Sequence, residues 1–361
     1  MASGIPRKLF LDAKDAGKFR WPMKGPSNGN RRFLVVGCGS IGKRHIRNLL
    51  TLGVGVVEAF DTREDRRRDV EKEFGIRSRC RLEDAWADAP NAVLITTPTS
   101  SHVPLAQQAT ESGCHLFIEK PLSNELDGTE ALQRAIEARG LIALVGCNMR
   151  FHPALLKVKQ LLDERLVGRV VSVRVQAGQY LPDWHPWEDY RHTYSARRAL
   201  GGGVILDAIH EIDYVRWMLG EVDAVACFAG RLSHLEVETE DVAGILLRFV
   251  DGTIGEVHLD YVQRVYARTG EFIGDEGTIR WDYSTGEVQC YSVKNGDWSV
   301  YRNPDGWSPN QMYLDEMRHF IACLDGREQP LLNATEATRV LAIALAAKAA
   351  AEDGRVVKLK K

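Results

Sequence analysis

The chain has 361 residues, 44% of them hydrophobic and 27% charged, so it can bury a sizeable core and is expected to form two domains. Its 47 basic residues nearly balance 49 acidic ones, which argues against a nucleic-acid partner. No apolar run reaches the roughly 18 residues needed to cross a bilayer. The seven cysteines lack metal-ligand spacing. We therefore expect a cytoplasmic protein with reduced thiols, no metal site and no membrane partner.

The first half of the chain has the pattern of a doubly wound domain. Residues 1–31 are rich in Gly, Pro, Lys and Asn and are predicted to be an N-terminal extension. Over residues 32–150, short apolar runs such as FLVVG and LIALVG alternate with helical patterns. Strands that alternate with helices in this way form βαβ units around a parallel sheet. The fold class predicted is therefore α/β, with an N-terminal Rossmann dinucleotide-binding domain.

The second half has a different pattern. The alternating valines of RVVSVRVQAGQY predict a strand that is buried on one face, and Asp251-Gly252 lies between two such strands as a hairpin signal. Residues 151–332 are therefore predicted to form an α+β domain with a largely antiparallel open sheet, used for substrate binding and oligomerisation. Residues 333–361 are predicted to be a C-terminal helix and tail that pack back on the body, with Asn333 and Glu336 forming a capping box.

A glycine-rich turn lies between the first predicted strand and helix. The motif is GxGxxG, and its residues are Gly37, Gly39, Ser40, Ile41 and Gly42. The glycines allow a pyrophosphate to approach the backbone at a helix N-terminus. Asp61 ends the second strand, where an acidic side chain binds the ribose hydroxyls and disfavours a 2′-phosphate. We therefore expect NAD rather than NADP, although Arg63 lies two residues further on.

Several spaced motifs make the chain similar to a known family. They are GCGSIGKRH, TTPTSSH, Glu119-Lys120-Pro121 and GGGVILDAIHEID. From Arg32 to the C-terminus the chain resembles the Gfo/Idh/MocA family of nicotinamide-dependent oxidoreductases. The resemblance implies activity on sugars, cyclitols or their derivatives. It also implies a homodimer or homotetramer formed through the second-domain sheets.

The resemblance places the catalytic residues. Lys120 is expected beside the nicotinamide, where its ammonium stabilises charge on the reacting oxygen. His210 is expected to act as the acid/base, and Asp207 to hold substrate or tune the charge state. The family spacing Asp-x-x-x-His is one residue shorter here, but i,i+3 residues also share one helical face. An alternative is that Lys120 takes the proton, with a lowered pKa.

The remaining site residues are predicted from the same resemblance. Thr97, Pro98, His102 and Glu119 are expected on the cofactor side, with His102 equally consistent with a residue that has no chemical role. Asn148 and Arg150 follow the last Rossmann strand. Arg150 is predicted either to clamp a substrate group or to be a structural arginine between the domains.

The segment from Gly178 to Arg191 is dense in aromatic and polar side chains, a composition that suits the faces and hydroxyls of a sugar ring. Tyr180, Trp184 and Tyr190 are the substrate-binding candidates, and the alternative is a loop that packs against a neighbouring subunit. With CNMRFHP and the shortened helix motif, this segment resembles a subgroup associated with nonulosonic-acid or amino-sugar biosynthesis.

The predicted function is an NAD-dependent dehydrogenase that transfers hydride from a hydroxyl carbon of a sugar nucleotide or amino sugar. Three alternatives remain open from the sequence. They are an inositol dehydrogenase, a glycoside-cleaving enzyme with a closed NAD redox cycle, and a non-catalytic NAD-binding sensor.

Overall fold

The computed structural model describes residues 31–359. The predicted N-terminal extension therefore lies outside the described residues except for Arg31, which pairs with Asp325 and donates to the carbonyl oxygen of Leu324. All seven cysteines are described, and each is a free thiol. Within the same residues, no helix is long and apolar enough to span a membrane.

The first sheet is parallel and has six strands in the order β3-β2-β1-β4-β5-β6. This order is typical of dinucleotide-binding domains, so the predicted Rossmann fold is confirmed. The strands are β1 Arg32–Val36, β2 Val56–Phe60, β3 Arg77–Arg79, β4 Ala92–Ile95, β5 His115–Glu119 and β6 Ala143–Gly146, and the helices are α1 Ser40–Leu52, α2 Glu64–Phe74, α3 Leu82–Ala87, α4 His102–Glu111 and α5 Thr129–Ala138.

Alternate side chains of these strands enter two separate cores, one on each face of the sheet. Leu34, Val93 and Leu116 lie in one core, and Phe33, Leu94 and Phe117 lie in the other. Because both faces are covered, the central strands are apolar throughout. This arrangement brings the carboxyl ends of the strands to one edge of the sheet, where α/β proteins bind their ligands.

The second sheet has nine strands in the order β14-β13-β12-β11-β7-β10-β9-β8-β15. Only the pair β7–β10 is parallel, so the predicted largely antiparallel sheet is confirmed. The strands are β7 Val170–Gly178, β8 Val222–Gly230, β9 Val242–Phe249, β10 Ile254–Asp260, β11 Ala267–Gly274, β12 Gly277–Asp282, β13 Glu287–Ser292, β14 Asp297–Arg302 and β15 Val357–Lys358, and the helices are α6 Pro153–Asp163, α7 Val204–Asp207, α8 His210–Leu219, α9 Asn310–Leu324 and α10 Ala334–Asp353.

Two helices connect the sheets. Residues 310–324 were predicted in the second domain, but Met317 and Phe320 of α9 lie in a core of the first sheet. The later helix α10 packs on β8 and also contacts α5 and β6, and β15 adds to the second sheet. Asn333 caps α10 by accepting a hydrogen bond from the Glu336 amide, 2.9 Å away. The Glu336 carboxylate instead pairs with Arg216 and Arg339, so only half of the predicted capping box forms.

Candidate functional site

The glycine-rich turn between β1 and α1 has the geometry of a pyrophosphate cradle. A Cβ on Gly42 would lie 1.9 Å from the carbonyl oxygen of Gly37, so only glycine allows the turn to close. At Gly39 the nearest neighbour of such a Cβ is an Arg66 nitrogen 3.7 Å away, which leaves room above the turn. No side chain caps α1, so the amides of its first turn are free to bind an anion. These residues fit a bound dinucleotide.

Replacing Gly42 by alanine is expected to weaken NAD binding about 10- to 100-fold, because a buried overlap of this kind costs about 1–3 kcal/mol. The measurement is a calorimetric titration with NAD. Gly244→Ala is the matched control, because a Cβ there meets nothing within 4 Å. Equal NAD affinity in the two variants would contradict the predicted cradle.

Asp61 lies beside the cradle at the end of β2. Its carboxylate accepts hydrogen bonds from the amides of Cys38, at 2.7 Å, and Arg63, at 2.9 Å. Carboxylate oxygens accept more than one bond, so these contacts leave capacity for ribose hydroxyls. The Arg63 guanidinium pairs with Asp65 and not with the cradle. Arg66, which the sequence analysis missed, approaches Asp61 to 3.8 Å.

The loop after β4 is held in place by a histidine. The ring nitrogens of His102 lie 2.8 Å from the carbonyl oxygen of Pro121 and 2.9 Å from that of Thr97. Burial lowers the pKa of His102. The imidazole therefore ties the Thr97-Pro98 turn to the segment after β5. His102 was predicted either to contact the cofactor or to have no chemical role, and these two contacts favour the second.

Glu119 ends β5 and is buried. Its carboxylate lies 2.7 Å from Nε2 of His45, a residue of α1 that the sequence analysis missed. Burial raises the pKa of Glu119, but His45 and Lys120 outweigh that effect, so the pKa is lowered. Glu119 was predicted as a cofactor contact. Its observed contact instead joins the cradle helix to the strand that carries Lys120.

Lys120 and Asp207 form a buried ion pair between the two domains. Lys120 Nζ donates to the carbonyl oxygen of Asp207, at 2.7 Å, and to its Oδ1, at 3.0 Å. Burial lowers the pKa of Lys120, but Tyr194 and Asp207 outweigh burial and hold it well above its ordinary value. The ammonium therefore stays charged. A raised pKa is the opposite of what the alternative role of Lys120 as proton acceptor would need.

The Asp207 carboxylate accepts three further hydrogen bonds. The donors are the hydroxyls of Tyr194 at 2.5 Å, Ser195 at 2.6 Å and Tyr261 at 3.1 Å. Its side chain is only 1% exposed. Burial raises the pKa of Asp207, but Lys120 and the hydroxyls outweigh it and lower the pKa. Of its two predicted roles, tuning the charge of Lys120 fits this geometry, and direct contact with substrate does not.

His210 begins α8, three residues after Asp207. The two were predicted on one face of one helix, but α7 ends at Asp207 and Ala208 leaves helical geometry, with φ −94° and ψ 33°. Burial, together with the charges of Lys120 and Arg268, lowers the pKa of His210 well below its ordinary value. Its Nδ1 is buried without a hydrogen-bond partner among residues 31–359. The site thus holds a neutral imidazole with an unsatisfied nitrogen.

Arg150 makes its hydrogen bonds within the protein. Its guanidinium makes a bidentate pair with Asp213, at 2.7 and 2.9 Å, and donates to the carbonyl oxygen of Leu331 at 2.6 Å. The side chains of Arg150 and Asp213 are 3% and 0% exposed. These contacts match the predicted structural role of Arg150 between the domains. Asn148, in the 3-10 turn Asn148–Phe151 after β6, is also buried.

The predicted aromatic segment is only partly at the site. The Trp184 ring packs edge-on against Tyr261, which in turn binds Asp207, and the buried Trp184 Nε1 has no partner in residues 31–359. Tyr180 instead pairs with His234 at 3.1 Å, and the Tyr190 hydroxyl accepts from the Glu236 amide at 3.1 Å. Trp184 thus stays a substrate-side candidate, whereas Tyr180 and Tyr190 contact a surface loop.

The sequence analysis missed the three hydroxyls on Asp207. Tyrosine and serine are common, and no spacing distinguishes these from others. No group of His, Cys, Asp or Glu side chains suited to a metal ion occurs in residues 31–359. The chemistry that the arrangement allows is charge stabilisation by Lys120 and proton transfer at a neutral His210.

Comparisons with known proteins agree with this geometry. The model of an oxidoreductase family with an NAD-binding Rossmann fold matches residues 31–147, and that of the GFO/IDH/MocA C-terminal domain matches residues 155–280. The scyllo-inositol 2-dehydrogenase (NAD(+)) of Bacillus subtilis strain 168 is 29% identical, over 91% of this chain and 96% of the relative.

Two further proteins extend the similarity. Inositol 2-dehydrogenase 2 of Saccharopolyspora erythraea is 30% identical over 68% of this chain and 71% of the relative. The crystal structure of GenD2 from gentamicin A biosynthesis, in complex with NAD, superposes with a TM-score of 0.79 at 28% identity, covering 93% of this chain and 99% of GenD2. The chain belongs to the Gfo/Idh/MocA family of NAD-binding oxidoreductases.

Proposed function

We propose that this protein oxidises a secondary hydroxyl of a sugar-like substrate, with His210 as the proton acceptor and Lys120 as the charge-stabilising residue. NAD, when bound, supplies the hydride acceptor. The observation that carries the proposal is the Lys120–Asp207 ion pair beside a histidine whose pKa is lowered. A histidine can take up a hydroxyl proton only while its imidazole is neutral, and the lowered pKa keeps His210 in that form.

The ammonium of Lys120 has three protons, and Asp207 takes two of them. The third is free to donate to the reacting oxygen, where negative charge develops as His210 removes the hydroxyl proton, before the hydride leaves the carbon. Asp207 helps to keep Lys120 charged, and Lys120, with hydrogen bonds from Ser195 and Tyr194, keeps Asp207 ionised, while Tyr261 also donates to it. We propose these three hydroxyl residues as positioning residues for the same step.

The substrate proposal is a sugar nucleotide or amino sugar, with inositols as the second class. The similarity to inositol dehydrogenases and to a protein of gentamicin A biosynthesis supports a substrate rich in hydroxyl groups. The test is the formation of reduced nicotinamide from NAD with UDP-sugars, free amino sugars and inositols. Turnover that is lost in Lys120→Ala and His210→Ala supports the proposal. Tight NAD binding without turnover of any member would contradict it.

The pH dependence of the reaction tests the role of His210. Because the pKa of His210 lies below its ordinary value, the imidazole stays neutral on the acid side of neutrality. The kcat/KM should therefore stay on its plateau as the pH falls through the ordinary histidine pKa of about 6.5 and decline only at lower pH. An acid limb with a midpoint at or above about 6.5, the ordinary histidine pKa, would contradict this assignment.

We also propose that the chain forms a homo-oligomer through the outer face of the second sheet. Phe228 is 89% exposed and Leu246 is 51% exposed on neighbouring strands of that face. An apolar face of this kind favours contact with a second copy. We expect an apparent mass of at least a dimer by light scattering and a smaller species for Phe228→Glu. A wild-type mass near the chain mass of 40.4 kDa would contradict the proposal.

A further inference from the structure

One basic residue of α1 has no acidic partner. Lys43 lies 3.3 Å from Asp69, and Arg47 pairs with Glu73. The Arg44 guanidinium instead stacks on the ring of Tyr313, with its central carbon 4.3 Å from the ring centre. It makes no ion pair or hydrogen bond with any group of residues 31–359. A partly buried guanidinium therefore remains available to a ligand.

Tyr313, on which Arg44 stacks, and two further tyrosines, Tyr266 and Tyr283, also have unused hydroxyls. The rings of Tyr266 and Tyr283 meet edge-on with centroids 5.4 Å apart, and Arg44 acts on the pKa of both Tyr283 and Tyr313. None of the three hydroxyls has a hydrogen-bond partner in the described part of the chain. Burial raises the pKa of all three, that of Tyr266 to about 12, so the hydroxyls remain protonated and able to donate.

This cluster lies between the two domains and next to the catalytic residues. The Tyr313 ring is 6.1 Å from the ring of His45, which contacts Glu119 beside Lys120. On the other side, the backbone amide of Tyr283 donates to Arg268, and the guanidinium of Arg268 lies 2.8 Å from Glu211, the neighbour of His210. The positive charge of Arg268 is thus balanced by Glu211, whereas the charge of Arg44 is not balanced.

Such a cluster selects its ligand by charge. It presents one guanidinium and three hydroxyls, and a guanidinium binds carboxylate and phosphate oxygens through two parallel hydrogen bonds. We propose that Arg44, with Tyr266, Tyr283 and Tyr313, binds an anionic substituent of the substrate, a carboxylate or a phosphate, while the reacting hydroxyl lies at Lys120 and His210. This inference rests on the proposed function and narrows its substrate class to anionic sugar derivatives.

The experiment compares glucose with three anionic derivatives that carry a carboxylate, a phosphate or a nucleoside diphosphate. Glucose, glucuronate, glucose 6-phosphate and UDP-glucose are assayed with NAD, in the wild type and in Arg44→Met. We expect the wild type to prefer the anionic members, and Arg44→Met to lower their kcat/KM about 10- to 100-fold, the effect of losing one charged hydrogen bond. Turnover of glucose should change less than about 3-fold, because glucose brings no charge to Arg44. The more active of glucuronate and glucose 6-phosphate identifies the anion.

Two variants control the measurement. Arg47→Met removes a guanidinium one turn further along α1, where it already pairs with Glu73, and should leave every kcat/KM unchanged. Arg44→Lys keeps the charge but loses the planar fork and should show an intermediate loss. Tyr283→Phe and Tyr313→Phe should each lower kcat/KM for the anionic members only.

Several results would overturn the inference. The first is a wild-type enzyme that prefers glucose to the anionic members. The second is a fall in kcat/KM in Arg44→Met that is equal for glucose and the anionic members. The third is a fall in the NAD affinity of Arg44→Met that is large enough to explain the whole loss of kcat/KM. If no member of the glucose series turns over, the panel of UDP-sugars, amino sugars and inositols decides about the proposed function, and thermal shift of the NAD-loaded protein decides about Arg44. Stabilisation by glucuronate or glucose 6-phosphate that is absent in Arg44→Met supports the anion site, and no shift in the wild type overturns it.

Discussion

Replacing Lys120 by methionine is expected to lower kcat by about 10²–10³-fold, the loss seen when one donor to a developing oxyanion is removed. Methionine keeps the length and apolar stem of lysine but removes the ammonium. Asp207 would still accept from Tyr194, Ser195 and Tyr261, so the network should persist. The measurement is steady-state turnover of the best substrate in the panel, with NAD saturating.

Lys120→Met is also expected to lower the stability of the fold, and this effect must be separated from the effect on catalysis. Removing one partner of a buried ion pair costs about 3–5 kcal/mol, because the other charge stays buried. The double variant Lys120→Met/Asp207→Asn should recover most of that stability and none of the activity. Lys159→Met, which removes a lysine that pairs with Asp163 on α6, is the control and should stay fully active. If the double variant regained activity, Lys120 would have only a structural role.

Replacing Arg150 by methionine is expected to destabilise the fold by about 3–5 kcal/mol, since it leaves the Asp213 carboxylate buried and unpaired. The pair joins the turn after β6 to α8, and Arg150 also binds the carbonyl oxygen of Leu331. The midpoint of thermal unfolding should fall by about 10 °C, at about 2–4 °C per kcal/mol. The KM of the folded variant should change little, because Arg150 is 3% exposed.

Two further variants test this explanation. Arg134→Met breaks the exposed pair with Glu130 on α5 and should cost less than about 1 kcal/mol. Arg150→Met/Asp213→Leu removes both buried charges and should recover most of the lost stability. A large rise in KM in Arg150→Met, with an unchanged unfolding midpoint, would return Arg150 to the role of a substrate clamp.

Local patterns predicted the Rossmann sheet and its cradle because each depends on neighbouring residues. Apolar runs that end in glycine indicate buried strands, and Gly42 is required by a clash within its own turn. The strand β3, with the sequence Arg-Ser-Arg, was missed because an edge strand with charged side chains lacks the apolar signal. The short helix α3 was missed as well, for its six residues are too few to show a periodic pattern.

The resemblance to a family located Lys120 and His210, but only the tertiary structure gave each residue its role. Lys120 stays charged because Asp207, 87 positions away in the chain, lies 3.0 Å from its nitrogen. The hydroxyl of Tyr261 arrives from yet another strand. Charge states at this site follow from distances between elements that are remote in sequence, and no local spacing encodes them.

Arg150 and Arg44 also differ in contacts that local sequence does not show. In the sequence both are arginines in or just after a Rossmann element, and Arg150 was the substrate candidate. Folding brings Asp213 to Arg150 and brings no acid to Arg44 among residues 31–359. The sequence by itself determined the fold class, the cofactor cradle and the catalytic motifs, because these depend on residues close along the chain. Which charges are buried, paired or left free for a ligand was decided only when the two sheets and their helices packed together.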